Sequence, residues 1–253
     1  MIYDYPEYYE AAFSFRDIPR ETAFLKLCID RFSEVPVRRV LEIACGHAPH
    51  AEELAALGFG YIGLDNNARM IQYATGRLGH IVPPPEFLKA DMRSFECLKE
   101  VQFAYVMLGS LYLNSLEEMT SHFDSIASCL KPGGLYFLDW CIQFTDPLEV
   151  CNNNEVVIER EGICTRSHFD IRLIDPVAQM YEEIWTMKVE DHGREKDFRI
   201  TEYNRAIYPQ EFRRFVQERG DFEMVGWWSD WNLDRPVEGS SEIVRPFVLL
   251  KKA

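Results

Sequence analysis

Apolar positions in the first half of the chain follow two alternating rhythms. Val37 to Cys45, Gly60 to Asp65, Val101 to Leu108 and Gly134 to Ile142 are dense apolar runs, and Glu86 to Asp91 is a shorter one. Strands in the middle of a parallel sheet are covered on both faces and read this way. Between them the spacing turns helical. Arg20 to Phe32 carries Phe24, Leu27, Cys28 and Phe32 on one side, His50 to Leu57 closes at Gly58, and Asn67 to Leu78 is a helix that Asn66 would cap. Ser115, with Glu118 three residues later, opens a helix whose stripe is Met119, Phe123, Ile126, Ala127 and Leu130, and Lys131-Pro132-Gly133-Gly134 stops it. Repeated strand, helix, strand units predict an open, mostly parallel sheet with helices on both faces.

From Glu155 to Tyr208 the helical spacing disappears and runs rich in Val, Ile, Tyr, Trp and Thr alternate with turns at Gly162, Asp175-Pro176 and Asp191-His192-Gly193. This predicts an antiparallel sheet of three or four strands inserted at residues 150–208. The earlier pattern then resumes, with a helix over Pro209 to Arg219 ended by Gly220, and strands over Phe222 to Trp228 and Phe247 to Lys251. The last strand is started after Pro246, because proline removes a ladder hydrogen bond. The expectation is one domain over residues 1–253, with a helical segment at 1–36 ahead of the first strand.

The formal charge of -14 disfavours a sequence-independent grip on nucleic acid or anionic lipid, both of which need a basic surface. A small or cationic partner suits it better. Seven cysteines (28, 45, 97, 129, 141, 151 and 164) are widely spaced, mostly in apolar runs, and read as reduced. With no basic, apolar leader and no apolar run long enough to span a bilayer, a cytoplasmic protein is expected.

In an open parallel sheet the ligand crevice lies beyond the carboxyl ends of the strands. The first strand delivers Ala44-Cys45-Gly46-His47-Ala48 to that place, and Asp65 ends the next. Small residues let backbone amides approach a ligand, and a carboxylate roughly twenty residues on can accept ribose hydroxyls. The residues alone also admit a plainer reading, in which Asp65 complements a helix dipole and the small residues pack. One glycine, crowded by His47 and Pro49, disfavours a dinucleotide. Cys45, His47 and His50 are too few to build a structural zinc site, so no metal is expected.

Glu42 to Ala48, Gly63-Leu64-Asp65, Ala90-Asp91-Met92, Leu108 to Leu113 and Leu130 to Gly134 follow one another as do the motifs of the class I S-adenosylmethionine-dependent methyltransferases. The chain resembles that family over nearly its whole length, and in particular its small-molecule N-methyltransferases with a β-sheet insertion. The resemblance implies a Rossmann-like seven-stranded sheet, mostly parallel with an antiparallel last strand, and S-adenosylmethionine as cofactor. It implies that Glu42 orients the turn and the cofactor's amino group, that Gly46 lets the backbone pass close, and that Asp65, followed by Asn66, holds the ribose. Asp91 and Met92 border the adenine, and Leu108 lies in the loop after the fourth strand. Met70 packs on the purine or simply in the core, and Tyr9, with Tyr5 and Tyr8 as alternatives, closes over the cofactor as a lid or is a plain surface aromatic. Two departures stand out: Ala44 and Ala48 replace glycines of the family turn, and Val101-Gln102-Phe103 lacks the aspartate that usually starts the fourth strand.

Methyl transfer from a sulfonium needs position and a dry site more than a catalytic triad, so no catalytic group is assigned. Tyr112, His168, Trp185 and Tyr203 are candidates to reach the substrate, Tyr112 and His168 first, although strand residues alternate faces and only some can point at the crevice. Trp227, Trp228 and Trp231 read as core or rim. The expected reaction is methylation of a small-molecule acceptor, an amine by preference. A nicotinamide-dependent oxidoreductase and a non-catalytic cofactor-binding protein are the alternatives.

Overall fold

A computed structural model describes residues 1–148, 155–240 and 242–253. The five predicted parallel strands form as β1 (Arg39–Ile43), β2 (Gly60–Asp65), β3 (Glu86–Lys89), β4 (Val101–Val106) and β5 (Leu130–Asp139), lying side by side in the order β3-β2-β1-β4-β5. Every residue of β4 is buried, as its unbroken apolar run requires. Beyond β5 comes β12 (Phe247–Lys252), antiparallel to it, and then β10 (Phe222–Ser229), antiparallel to β12. An eighth strand, β11 (Asn232–Pro236), extends the expected seven by folding back on β10. Its sequence, Asn-Leu-Asp-Arg-Pro, carries no apolar run to announce it.

The described helices are α1 (Pro6–Ala12), α2 (Ile18–Phe32), α3 (Ala51–Ala56), α4 (Ala68–Leu78), α5 (Leu116–Cys129) and α6 (Pro209–Arg219). The cap of α4 is Asn67, not Asn66: the Asn67 side-chain oxygen accepts the N–H groups of Arg69 and Met70 at 2.9 and 3.1 Å, and Asn66 is exposed. At α5, Ser115 accepts the Glu118 N–H at 3.1 Å, while the Glu118 carboxylate reaches back one residue further than a capping box requires, to the N–H of Asn114 at 2.8 Å. One core fills the sheet face under α5 and α6, with Phe123, Phe212, Phe215 and Phe222. The other fills the face under α2 and α3, with Phe24, Leu25, Leu54, Phe137 and Phe247.

The insertion is a four-stranded antiparallel sheet of β6 (Glu155–Arg160), β7 (Ile163–Asp175), β8 (Met180–Asp191) and β9 (Arg194–Arg205). The expected start at residue 150, and Cys151, lie outside the described residues. Period-two alternation gives the sheet one apolar face, on which Trp185, Met187, Val189 and Ile200 bury Ile2, Tyr8 and Ala12 of the N-terminal segment. That segment is therefore held between the insertion and the core sheet. Tyr8 donates to Asp191 of β8 at 3.0 Å, and Tyr73 of α4 donates to Glu10 at 2.5 Å.

Candidate active site

Beyond β1 the chain passes through Ala44, Gly46 and Ala48 with φ of 53°, 53° and 54°, three left-handed residues alternating with ordinary ones. Only glycine adopts that region freely, and each alanine costs about 1–2 kcal/mol there. The two alanines therefore preserve the backbone path of a three-glycine turn. A Cβ on Gly46 would lie 4.0 Å from the Tyr9 ring, so the turn is open toward the N-terminal segment. The amide of Gly46 donates to one oxygen of Asp65 and that of Asn67 to the other, both at 2.8 Å. Asp65 is 9% exposed, and burial lifts its pKa against the lowering effect of these amides. Such a carboxylate is fixed in position and favours further hydrogen-bond donors.

Beneath the turn lies a buried charge relay. Glu42, 3% exposed, accepts from Tyr105 at 2.8 Å and from Tyr61, and pairs with His50 Nδ1 at 3.0 Å. The other nitrogen of His50 meets Glu21 at 2.9 Å, and Glu21 also accepts from Arg16 at 2.5 Å. Burial alone would lower the His50 pKa, yet the Glu42 charge and the bonds to both carboxylates raise it above its usual 6.5. Burial likewise opposes ionisation of Glu21, whose bonds to His50 and Arg16 nevertheless bring it from 4.5 to about 2, and Glu42 is lowered in the same way by His50.

The stabilisation from the imidazolium is complete below pH 6.5 and is lost as the pH rises through its raised folded-state value. The carboxylates contribute above pH 4.5 and fade as the pH falls toward 2. The melting temperature is expected to decline as the pH rises above 6.5, and His50→Gln to flatten that decline. A wild-type profile as flat as that of the variant would dismiss the relay.

The site is roofed by the N-terminal segment and the inner face of the insertion. Tyr9 stacks on Phe13 with centroids 4.6 Å apart and sets its ring against the edges of His47 at 5.8 Å and Trp185 at 6.0 Å. Burial pushes its hydroxyl up to about 12, so it remains a neutral phenol. Glu183 and Glu202 face each other across β8 and β9 on the same inner face. Tyr112 donates to Glu183 at 2.7 Å, Asn204 donates to Glu183 at 3.1 Å, and Tyr3 donates to Glu202 at 3.2 Å. Burial raises the pKa of Glu202, and the nearby Glu183 charge adds to it.

A family model described as a methyltransferase domain matches residues 40–134, from β1 to the start of β5. This stretch is a methyltransferase domain. YqeM of Bacillus subtilis (strain 168), provisionally named a methyltransferase, is 32% identical over 104 residues, which are 40% of this chain. The chain spans 41% of that relative's length. Solved structures match over far more. An S-adenosylmethionine-dependent methyltransferase from Clostridium acetobutylicum ATCC 824 superimposes with a TM-score of 0.78 at 16% identity, covering 97% of this chain and 96% of that one. CalS10, an amino pentose methyltransferase from Micromonospora echinaspora, does so with a TM-score of 0.72 at 17% identity over 97% and 96%. At these identities the likeness is one of fold, the class I methyltransferase fold.

Within and around the methyltransferase domain the expected residues fall into two groups. Glu42, Ala44, Gly46, Asp65 and Tyr9 converge at the turn. Met70 is buried in the first turn of α4. Asp91 is clamped by the Arg93 guanidinium, with Nε at 2.9 Å, and the Met92 carbonyl pairs with His122 at 2.6 Å. Of the substrate candidates, Tyr112 and Trp185 face inward. His168 and Tyr203 do not: they sit opposite Thr186 and Glu182, on the outer face, at 40% and 49% exposed. Strand parity excludes both, because the inner positions are odd on β7 and β8 and even on β9.

Asp139, missed in the sequence, ends β5 fully buried. It accepts from the Leu108 amide at 2.8 Å, from Trp231 at 3.0 Å and from Arg245 at 2.7 Å. It thereby fixes Leu108, which is left-handed at φ 58°. Among the described residues no cluster suited to a metal ion is found, and no helix is long and apolar enough to cross a membrane.

Proposed function

We propose that the chain uses S-adenosylmethionine to methylate the amine of a small molecule. The observation that carries this is Asp65, held by two amides at the mouth of a left-handed turn in a class I methyltransferase fold. The residues suit the cofactor. Asp65 offers unshared lone pairs to ribose hydroxyls, Gly46 leaves the turn bare toward the lid, and Tyr9 presents an aromatic face attractive to a sulfonium. A dinucleotide suits them less, because His47, Ala48 and Pro49 put side chains where a pyrophosphate needs bare backbone. When bound, the cofactor supplies a methyl group on a good leaving group.

An amine acceptor is favoured by Glu183 and Glu202, two carboxylates on the roof opposite a protein turn that has none to spare. A cationic amine would be drawn to them, and Glu202, with its raised pKa, is the better placed to take the proton that the amine must lose before it reacts. Tyr112 holds Glu183 in position. The fold likeness to an amino pentose methyltransferase makes amino sugars the first acceptors to try. S-adenosylhomocysteine at about a hundred times its Kd is expected to stabilise the protein by about 2.7 kcal/mol, a rise in melting temperature of roughly 5–10 °C, and NAD to leave it unchanged. Amino sugars would then be screened by detecting S-adenosylhomocysteine release. Absence of any shift with the spent cofactor would end this reading, whereas a shift without turnover on any amine would leave a cofactor-binding protein.

A further inference from the structure

A second site lies beside the turn, on the side of α4. A cavity of about 140 Å³ opens between the N-terminal segment and the turn, and Phe13, Arg16, His47, Arg77, Arg160 and Glu10 line it. In a chain of net charge -14, three guanidiniums and an imidazole meet around this one small void. Two of the arginines have countercharges. Arg16 pairs with Glu21 at 2.5 Å, and Arg160 lies 3.6 Å from Glu10. Arg77 has none among the described residues. One of its terminal nitrogens donates to the carbonyls of His47 and Ala48 at 2.8 and 3.0 Å, which locks the guanidinium against the turn, while its buried Nε has no partner. His47 is 6% exposed and its Nδ1 is likewise buried without a partner.

Burial keeps that imidazole neutral, with the Arg77 and Arg16 charges pushing its pKa the same way, to about 3. A neutral imidazole can carry its proton on Nδ1 and donate it. The lining thus offers a positive charge without a countercharge and two buried nitrogens without partners, while its one carboxylate, Glu10, is engaged by Arg160 and Tyr73. Native interiors rarely leave such groups unanswered.

We propose that this cavity binds a small oxyanion, a carboxylate or a phosphate, between Arg77 and His47. The anion has two sources: a free or substrate-borne group, or the amino-acid carboxylate of the cofactor, the latter resting on the function proposed above. The site itself does not depend on that function, because inorganic phosphate probes it directly.

Isothermal titration of the intact protein with inorganic phosphate is expected to give saturable heat, weakened about tenfold or more in Arg77→Gln, the scale of a charged hydrogen-bond partner. Because Arg77 also braces the turn, Arg160→Gln at the rim provides a second variant, expected to weaken phosphate several-fold. Competition between phosphate and S-adenosylhomocysteine, together with unchanged affinity of Arg77→Gln for 5′-methylthioadenosine, which lacks the amino-acid end, would assign the cofactor as source. Independent binding of the two would assign a separate anion. If wild-type protein takes up no phosphate, and folded Arg77→Gln and Arg160→Gln both bind S-adenosylhomocysteine as wild type does, the proposal is overturned.

Discussion

Asp65→Ala is expected to lose about 1.5–3 kcal/mol of affinity for S-adenosylhomocysteine, roughly 10- to 150-fold, the value of a hydrogen bond to a charged group. Two effects would combine. The acceptor for ribose hydroxyls disappears, and the amides of Gly46 and Asn67 lose the carboxylate that orients them. Asp65→Asn separates these, since its side-chain oxygen can still accept one amide but carries no charge. Its loss is expected to be smaller than that of Asp65→Ala. Calorimetric titration of both variants, with circular dichroism to show that they are folded, reads the result. Equal affinity in wild type and a folded Asp65→Ala would remove the ribose assignment while leaving the fold untouched.

Arg245→Leu is expected to be the most damaging single change at the carboxyl edge of the sheet. Asp139 is fully buried, and Arg245 is its countercharge, with Nε and a terminal nitrogen at 3.0 and 2.7 Å, while its other terminal nitrogen reaches Glu21 at 3.3 Å. Removing it strands one carboxylate and deprives a second of a cation, a loss of about 3–5 kcal/mol for a broken buried pair. Pairing it with Asp139→Leu is expected to restore part of that stability, because the stranded charge goes too. Urea unfolding midpoints at constant slope make the comparison. If the double variant is no more stable than Arg245→Leu alone, uncompensated charge is not the cause.

Much of this architecture was legible from periodicity. Helix α6 runs over Pro209 to Arg219 and ends in left-handed Gly220, as its residues foretell, and β4 is buried throughout because its run is apolar throughout. The turn and Asp65 were legible because local spacing carries them. The substrate side was read less well, for a physical reason. A histidine or tyrosine in a strand attracts attention as a functional group, but parity decides whether it can reach the site. The inner face was marked by Phe169, Trp185 and Met187, whose register excludes His168 and Tyr203. Glu183 and Glu202 were passed over because carboxylates in strands read as solvent-facing. Glu21, Glu42, His50, Asp139 and Arg245 form one connected set from four separated stretches of chain, and no window of sequence contains it.

The double anchorage of the N-terminal segment bears on traffic. Residues 3–10 are tied to α4 on one side and to β8 and β9 on the other, and Tyr9 lies against the turn itself. In an enzyme of the proposed kind, donor and acceptor would share one doorway, and spent donor could not depart until those ties let go. Catalytic throughput would then be governed by how often a short aromatic strap unfastens, rather than by how fast a methyl group changes hands.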